Sequence, residues 1–379
     1  MRLLIQKRVD VPRWLTLVAP VISVGLAFLL GAVVIAATGG DPVKVYRLML
    51  ESSLFSRYGL PETIVKAIPL MLSGFALAVT MRMRVLNLGA EGQIYIGAVA
   101  AAWVAATFGN LPAGLLLPLM FVAGLAAGGL WSLIAVLPRV LWNTSELITS
   151  LMLNYVATLW VAFLVNGPWR DPTARGFPLG PVFPEAGQLP TWGTTRVHLG
   201  LIIALVLAAL LALMLRRTRF GYQMQVIGAS PRAARYAGMN IPRTILYVSL
   251  LSGGLAGLAG MTEVSGVIHR LQEGISPGYG FTAIIVSALA RHNPFGIVLV
   301  AFLFGALLVG GYAIQTVGVS SNIVQILQGA VLLFVVGSEF LLQYRVRLVG
   351  GGAGLADKLS GLLKPRRAAP KHGGQEGSL

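Results

Sequence analysis

Cysteine is absent from this 379-residue sequence, histidine occurs four times, and only 11% of the residues are charged. Without cysteine there are no disulfides, thiolate metal sites or cysteine nucleophiles, while the redox compartment stays undetermined. The histidines, His198, His269, His292 and His372, form no His-Glu-x-x-His pair, the spacing that places two zinc ligands on one helical face. No Gly-x-x-x-x-Gly-Lys-Ser/Thr loop is present either, so the chain does not cradle nucleotide phosphates in that manner. A soluble domain carries roughly 25% charged residues. Water is therefore not the main solvent of this chain.

What fills the sequence instead is apolar: 56% of the residues, with a mean hydropathy of +0.79. These residues form runs rather than amphipathic stripes. Trp14–Ala37, Leu199–Leu215 and Ile323–Leu342 each approach the roughly 17–25 residues that cross a bilayer. Spans are expected near 14–37, 64–81, 88–108, 113–137, 146–166, 198–215, 244–262, 281–290, 295–312 and 321–342. The first run follows Arg2, Lys7, Arg8 and Arg13 and is longer than the apolar core of a signal peptide, so it reads as a retained helix. The expected fold is an all-α integral membrane protein of about ten transmembrane helices, the one at 281–290 being too short to cross alone.

The formal charge of +16 is a common mark of phosphate-binding chains, but its placement argues against nucleic acid. With the N-terminus inside, 21 of the 29 Lys and Arg residues fall on the cytoplasmic side. They are four ahead of the first run, Arg82 and Arg84, Arg139, six from Arg216 to Arg243, Arg291, and seven from Arg345 to Lys371. That is the asymmetry expected of membrane orientation, and it puts both termini in the cytoplasm. Residues 1–63 then form an N-terminal helix and an external segment, with a surface helix expected over Pro42–Leu54. Residues 64–349 form the membrane core, with an external loop at 167–197 rich in Pro, Gly and Trp, and a cytoplasmic loop at 216–243. Residues 350–379 are a basic tail, expected to be flexible.

The spans at 64–166 and 244–342 start in opposite orientations, the requirement for an inverted repeat. Each half has a glycine-broken start to its second helix, Leu88-Gly89-Ala90-Glu91-Gly92-Gln93 in one and Pro277-Gly278-Tyr279-Gly280-Phe281 in the other. Paired interruptions at matching positions point to a transport pathway, because unwound backbone at membrane depth is tolerated only where protein or a water-lined cavity satisfies it. Gly253, Gly254, Gly257 and Gly260 are suited to close helix packing.

The segment Gly228-Ala229-Ser230-Pro231-Arg232-Ala233-Ala234-Arg235-Tyr236-Ala237-Gly238 reads as a short capped helix. Ser230 is the N-cap, Pro231 the first helical residue and Gly238 the left-handed residue beyond the end. Ala233, Tyr236 and Ala237 share one face. Two readings stand: an interfacial helix resting on lipid, or a knob that docks into a groove on a cytoplasmic partner.

Polar residues within the spans also carry two readings each. Asn87 caps the span that follows, and Glu91 sits in its first turn, where the helix dipole favours a carboxylate. Alternatively Glu91 and Gln93 face a cavity and hydrogen-bond a solute, since ionisable groups in a span usually face a pathway or partner. Glu146 and Asn154, eight residues apart on one helical face, either join helices or touch solute. Tyr279 and Phe281 either stack on a flat ring or sit at the interface as aromatics commonly do. Glu263, His269, Arg270 and Glu273 are expected in an external connection.

The 228–238 segment resembles the coupling-helix region of ABC importer permeases of the branched-chain amino-acid and ribose superfamily. Asn87-Leu88-Gly89-Ala90-Glu91-Gly92-Gln93 resembles that family's signature in the first half. Asn143-Thr144-Ser145-Glu146-Leu147-Ile148-Thr149-Ser150-Leu151-Met152-Leu153-Asn154-Tyr155 and Gly278-Tyr279-Gly280-Phe281-Thr282-Ala283-Ile284 are similar to further blocks. Together they are most similar to the nucleoside-type branch, whose binding proteins belong to the basic-membrane-protein lipoprotein group. The resemblance implies a type II importer-like fold, a second permease subunit that is usually a different chain, a cytoplasmic ATPase that carries the ATP and magnesium, and an external substrate-binding lipoprotein. It implies no cofactor on this chain. It also makes Gly228, Ala229, Ser230, Pro231, Ala233, Ala234, Tyr236, Ala237 and Gly238 the coupling residues. Asn87, Glu91, Gln93, Glu146, Asn154, Tyr279 and Phe281 become the pathway candidates. The solute is expected to be a nucleoside, with a simple sugar or another flat small molecule as the alternative. A rival of another class is a secondary transporter driven by an ion gradient, which need not display a capped cytoplasmic knob.

Overall fold

The computed structural model describes residues 2–7, 13–142 and 144–349; the expected tail at 350–379 and Asn143 lie outside the described residues. Thirteen α-helices are described in chain order: α1 (Arg13–Ala37), α2 (Pro42–Leu50), α3 (Gly59–Met81), α4 (Ala90–Thr107), α5 (Ala113–Trp142), α6 (Glu146–Asn166), α7 (Gly200–Arg217), α8 (Arg219–Ala229), α9 (Pro231–Tyr236), α10 (Ile241–Glu263), α11 (Tyr279–Leu289), α12 (Pro294–Ala313) and α13 (Asn322–Gln343). Each of the ten expected spans has its helix, and α2 with its π-turn continuation Glu51–Phe55 occupies the expected surface helix. Among the described residues, seven helices are long and apolar enough to cross a membrane. α11 is shorter, as expected, and Glu91 and Gln93 make α4 more polar. α8 is an addition: most of the loop read at 216–243 is helical.

Two units divide the chain, Val24–Leu333 and the two ends outside it. In the unit formed by the ends, β1 (Arg2–Lys7) pairs antiparallel with β2 (Tyr344–Val349), Arg2 opposite Val349 and Lys7 opposite Tyr344. This small ladder accompanies an otherwise helical set of described residues; basic and apolar residues alternate along Arg345-Val346-Arg347-Leu348 of β2.

Within the larger unit one local device recurs at helix starts, a capping side chain just ahead of a proline. Asp41 Oδ1 accepts from Val43 N and Lys44 N, Ser230 Oγ from Ala233 N, Asn240 Oδ1 from Arg243 N and Asn293 Oδ1 from Phe295 N. The side chain satisfies a first-turn N–H, while proline supplies helical φ and has no N–H to leave unpaired.

Burial decides which helices form the centre: 83% of the apolar stretch of α3 and 72% of that of α10 are covered, against 28% for α1. α10 is pressed backbone to backbone between α4 and α5. A Cβ on Gly97 would overlap the Gly257 backbone, one on Gly257 the Gly124 carbonyl, and one on Gly128 the Gly253 carbonyl. Backbone hydrogen bonds tie the 167–197 loop to the segment that follows α10. Gly180 N, Phe183 N and Leu189 N donate to the carbonyls of Leu271, His269 and Ser265, while Phe183 and Leu189 bury into the cluster around Tyr95, Met120 and Val161.

Candidate functional site

The two glycine-broken helix starts meet. Glu91, in the first turn of α4, is 6% exposed, and its Oε2 accepts a 2.7 Å hydrogen bond from Gly280 N in the first turn of α11. One carboxylate thus lies at the positive ends of two helix dipoles, which is how a lone buried charge is held. Gly280 permits the approach, since a Cβ there would strike the α4 backbone at Ala90 and Glu91. At 11 residues α11 is about 16 Å long, half a bilayer, so it is too short to cross alone. Ser276 Oγ accepts from Gly278 N and Tyr279 N and caps this start. The stretch Gly274-Ile275-Ser276-Pro277-Gly278 carries the letters of a hydrolase nucleophile elbow, but its serine is committed to the backbone and is not preceded by a strand.

Asn87 and Gln93 face one another in a reciprocal amide pair, with N···O distances of 2.9 and 3.1 Å, and Asn87 Nδ2 also donates to Ser252 of α10. Asn87 Oδ1 accepts from Gly89 N, turning the chain before the helix. The cap expected of Asn87 is nevertheless made by Asn154 on α6, whose Oδ1 accepts from Gly92 N and whose Nδ2 donates to Leu88 O, both at 2.8 Å. Glu146 does not share that site. It pairs with Arg139 across the α5–α6 turn, although it joins Asn87, Ser132 and Ser249 around a cavity of about 10 Å³, enough for about one water. Tyr279 is buried and Phe281 is 43% exposed, so the two aromatic rings do not form one stacking surface.

The 228–238 segment folds as read. Ser230 caps α9, Gly238 has φ +72°, and Gly238 N and Met239 N donate to the carbonyls of Arg235 and Ala234, the paired bonds of a Schellman ending. Ala234 is fully buried and roots the helix, while Ala233, Tyr236 and Ala237 face outward, Tyr236 being 95% exposed. Beside it opens a groove of about 760 Å³ lined by Met83, Arg139, Ile227, Arg235 and Met239 among others. α8 carries the segment up to the α3–α4 turn, where a Cβ on Gly228 would overlap the Arg82 carbonyl.

The family described as branched-chain amino acid transport system / permease component matches residues 60–336. This chain belongs to that family. Among its relatives, a glucose ABC transporter permease of Haloferax volcanii is 37% identical over 351 residues, covering 89% of this chain and 92% of the relative. A guanosine ABC transporter permease of Bacillus subtilis is 31% identical over 344 residues, 88% of this chain and 96% of the relative. A nucleoside ABC transporter permease of Lactococcus lactis is 29% identical over 327 residues, 83% and 89%. The chain is therefore a multi-pass membrane permease component rather than an enzyme.

One charged site in the permease escapes the reading of its sequence. Glu263 is not in an external connection: α10 continues through it and a π-turn follows over Val264–Ile268. This buries Glu263 to 3% exposure against Lys66 of α3 at 3.5 Å. The available signal was Lys66 itself, a lone cation inside an apolar run. The other residues of that expected connection stay near the surface: Glu273 accepts from Asn166 Nδ2 at 2.6 Å, and His269 and Arg270 are half-buried. Two further histidines of the permease are held neutral outside the spans. Burial, then the charges of His269 and Arg196, push His198 down to about 4. Burial, then Arg82 and Arg291, do the same to His292.

Proposed function

We propose that this chain is the transmembrane subunit of an ATP-driven importer in a bacterial plasma (inner) membrane, with both termini in the cytoplasm. It works with a second, different permease chain, a cytoplasmic ABC ATPase that binds ATP and magnesium, and an external substrate-binding lipoprotein; it binds no cofactor itself. The solute is a nucleoside. The observation that carries the reading is α9, a helix fixed at both ends and rooted by Ala234, yet presenting Tyr236 almost wholly to its surroundings. A self-contained ion-coupled carrier need not display such a projection.

The mechanism is alternating access. Closure of the ATPase dimer displaces α9, and α8 transmits the movement through Gly228 to the α3–α4 turn. From there it reaches the junction where α4 and α11 meet at Glu91 and Gly280. Rocking of that junction passes the solute from the docked lipoprotein to the cytoplasm. A second reading, glucose as solute, is favoured by the Haloferax relative, and the two solutes share a hydroxylated ring.

Reconstituted vesicles holding both permeases, the ATPase and the lipoprotein test this. Guanosine or glucose uptake should require ATP, and the Ala233→Asp/Ala237→Asp variant should assemble normally but lose uptake and coupled ATP hydrolysis. Uptake and coupling that survive the double substitution, or accumulation without ATP, would refute the assignment.

A further inference from the structure

A group of buried polar atoms at the junction of α3, α10 and α11 is not used by the function just described. Glu263 Oε1 lies 3.5 Å from Lys66 Nζ and accepts from the Tyr279 hydroxyl at 3.5 Å, but Oε2 has no partner. Lys66 has three N–H donors, of which one makes this long contact while the ammonium sits 5.8 Å from the Tyr279 ring centre. Buried polar atoms are nearly always paired, and π-turns recur at functional sites. A carboxylate oxygen left open where the protein buries it therefore marks a place where a ligand group belongs.

We infer that Glu263, with Lys66, binds the sugar hydroxyls of the transported solute, an inference that rests on the importer reading above. The donor set selects the ligand. Glu263 Oε2 only accepts and Lys66 only donates, which matches neighbouring hydroxyls, each able to donate and accept. The ammonium beside the carboxylate repels a cation, and the pair's neutrality gives an anion no advantage. The junction is closed in this conformation. Its movable wall is α11, which is short and is reached through Gly274 and Gly278, both left-handed at φ +68° and +96°.

The test is Glu263→Gln in the complete importer. Lys66 and Tyr279 are both donors, so they hold the Gln carbonyl on their side. The amide N–H₂ then stands where Oε2 stood, and an acceptor becomes a donor. Uptake is measured with guanosine and with 2′,3′-dideoxyguanosine, and each rate is compared with that of the unsubstituted importer, which cancels the lipoprotein's own preference. Loss of a hydrogen bond to a charged group predicts about a 10- to 100-fold fall in kcat/KM for guanosine, with dideoxyguanosine changed less than about threefold. Equal losses for both solutes would make the pair purely architectural and overturn the inference while leaving the importer reading intact. If the unsubstituted importer carries glucose and not guanosine, a series of monodeoxyglucoses replaces the pair, and the inference falls unless at least one is spared. If it carries neither with ATP, both readings fall.

Discussion

Asn154 tests whether the start of α4 is held from outside its own sequence. The Asn154→Ala substitution strips Gly92 N–H of its acceptor and Leu88 C=O of its donor, both at 2.8 Å beneath a side chain only 4% exposed. Interhelical side-chain hydrogen bonds in membranes average about 0.6 kcal/mol, because the dissociated helices find other partners. That average does not transfer here. Gly92 N–H is one of the first-turn donors that no helix can satisfy internally, and leaving a buried polar group unpaired costs about 1–3 kcal/mol. Two such groups, with some relaxation, give an expected loss of about 2–5 kcal/mol. Asn154→Asp keeps the acceptor for Gly92 but sets a carboxylate oxygen against the Leu88 carbonyl, so it should be destabilising as well. The assay is equilibrium unfolding in mixed micelles by titration with a denaturing detergent, followed by circular dichroism. A loss for Asn154→Ala below about 1 kcal/mol would refute the reasoning, since ordinary interhelical bonding would then account for everything.

Two other outcomes follow from the geometry. Glu91→Ala leaves Gly280 N–H without its acceptor and removes the charge shared by two helix starts; uptake should fall at least tenfold while the complex still assembles, and unchanged transport kinetics would take Glu91 out of the moving junction. The histidine pH dependence has a definite sign. His198 titrates at about 4 when folded but near 6.5 when unfolded, so below about 6.5 the unfolded chain binds the extra proton and stability falls as pH drops toward 4. At pH 5 this one group costs about 2 kcal/mol. Protonation also ends the 3.1 Å bond that Nδ1 accepts from Gly200 N. The thermal unfolding midpoint should therefore fall between pH 7 and 5, and His198→Asn should flatten that slope.

The helices are legible in the sequence because their causes are local: an apolar run, a cap and a proline lie within a few residues of one another. α9 is the strongest instance, with Ser230, Pro231 and Gly238 each taking the position that its chemistry dictates. The junctions are not legible in that way. Asn87 and Asn154 are equally able to cap α4, and only the placement of α6 decides between them. Glu91 bonds a backbone N–H 189 positions away, and no side-chain pattern announces a backbone partner. Glu263 is misplaced for a simpler reason: helical hydropathy ends near Thr262, and a charged residue just beyond looks external. Lys66, far away in sequence, reverses that reading by neutralising it in the interior.

The glycine contacts along α10 limit how this machine can change shape. Where Gly97, Gly124 and Gly128 press on Gly253 and Gly257, the gap has no room for even one methyl group. Sliding α10 by a single position, or turning it about its axis, would drive a side chain into a neighbour's main chain. α4, α5 and α10 are thus geared together like a bolt seated in its thread. In the proposed cycle they would travel as a block, with the give at the α3–α4 turn and the approach to α11.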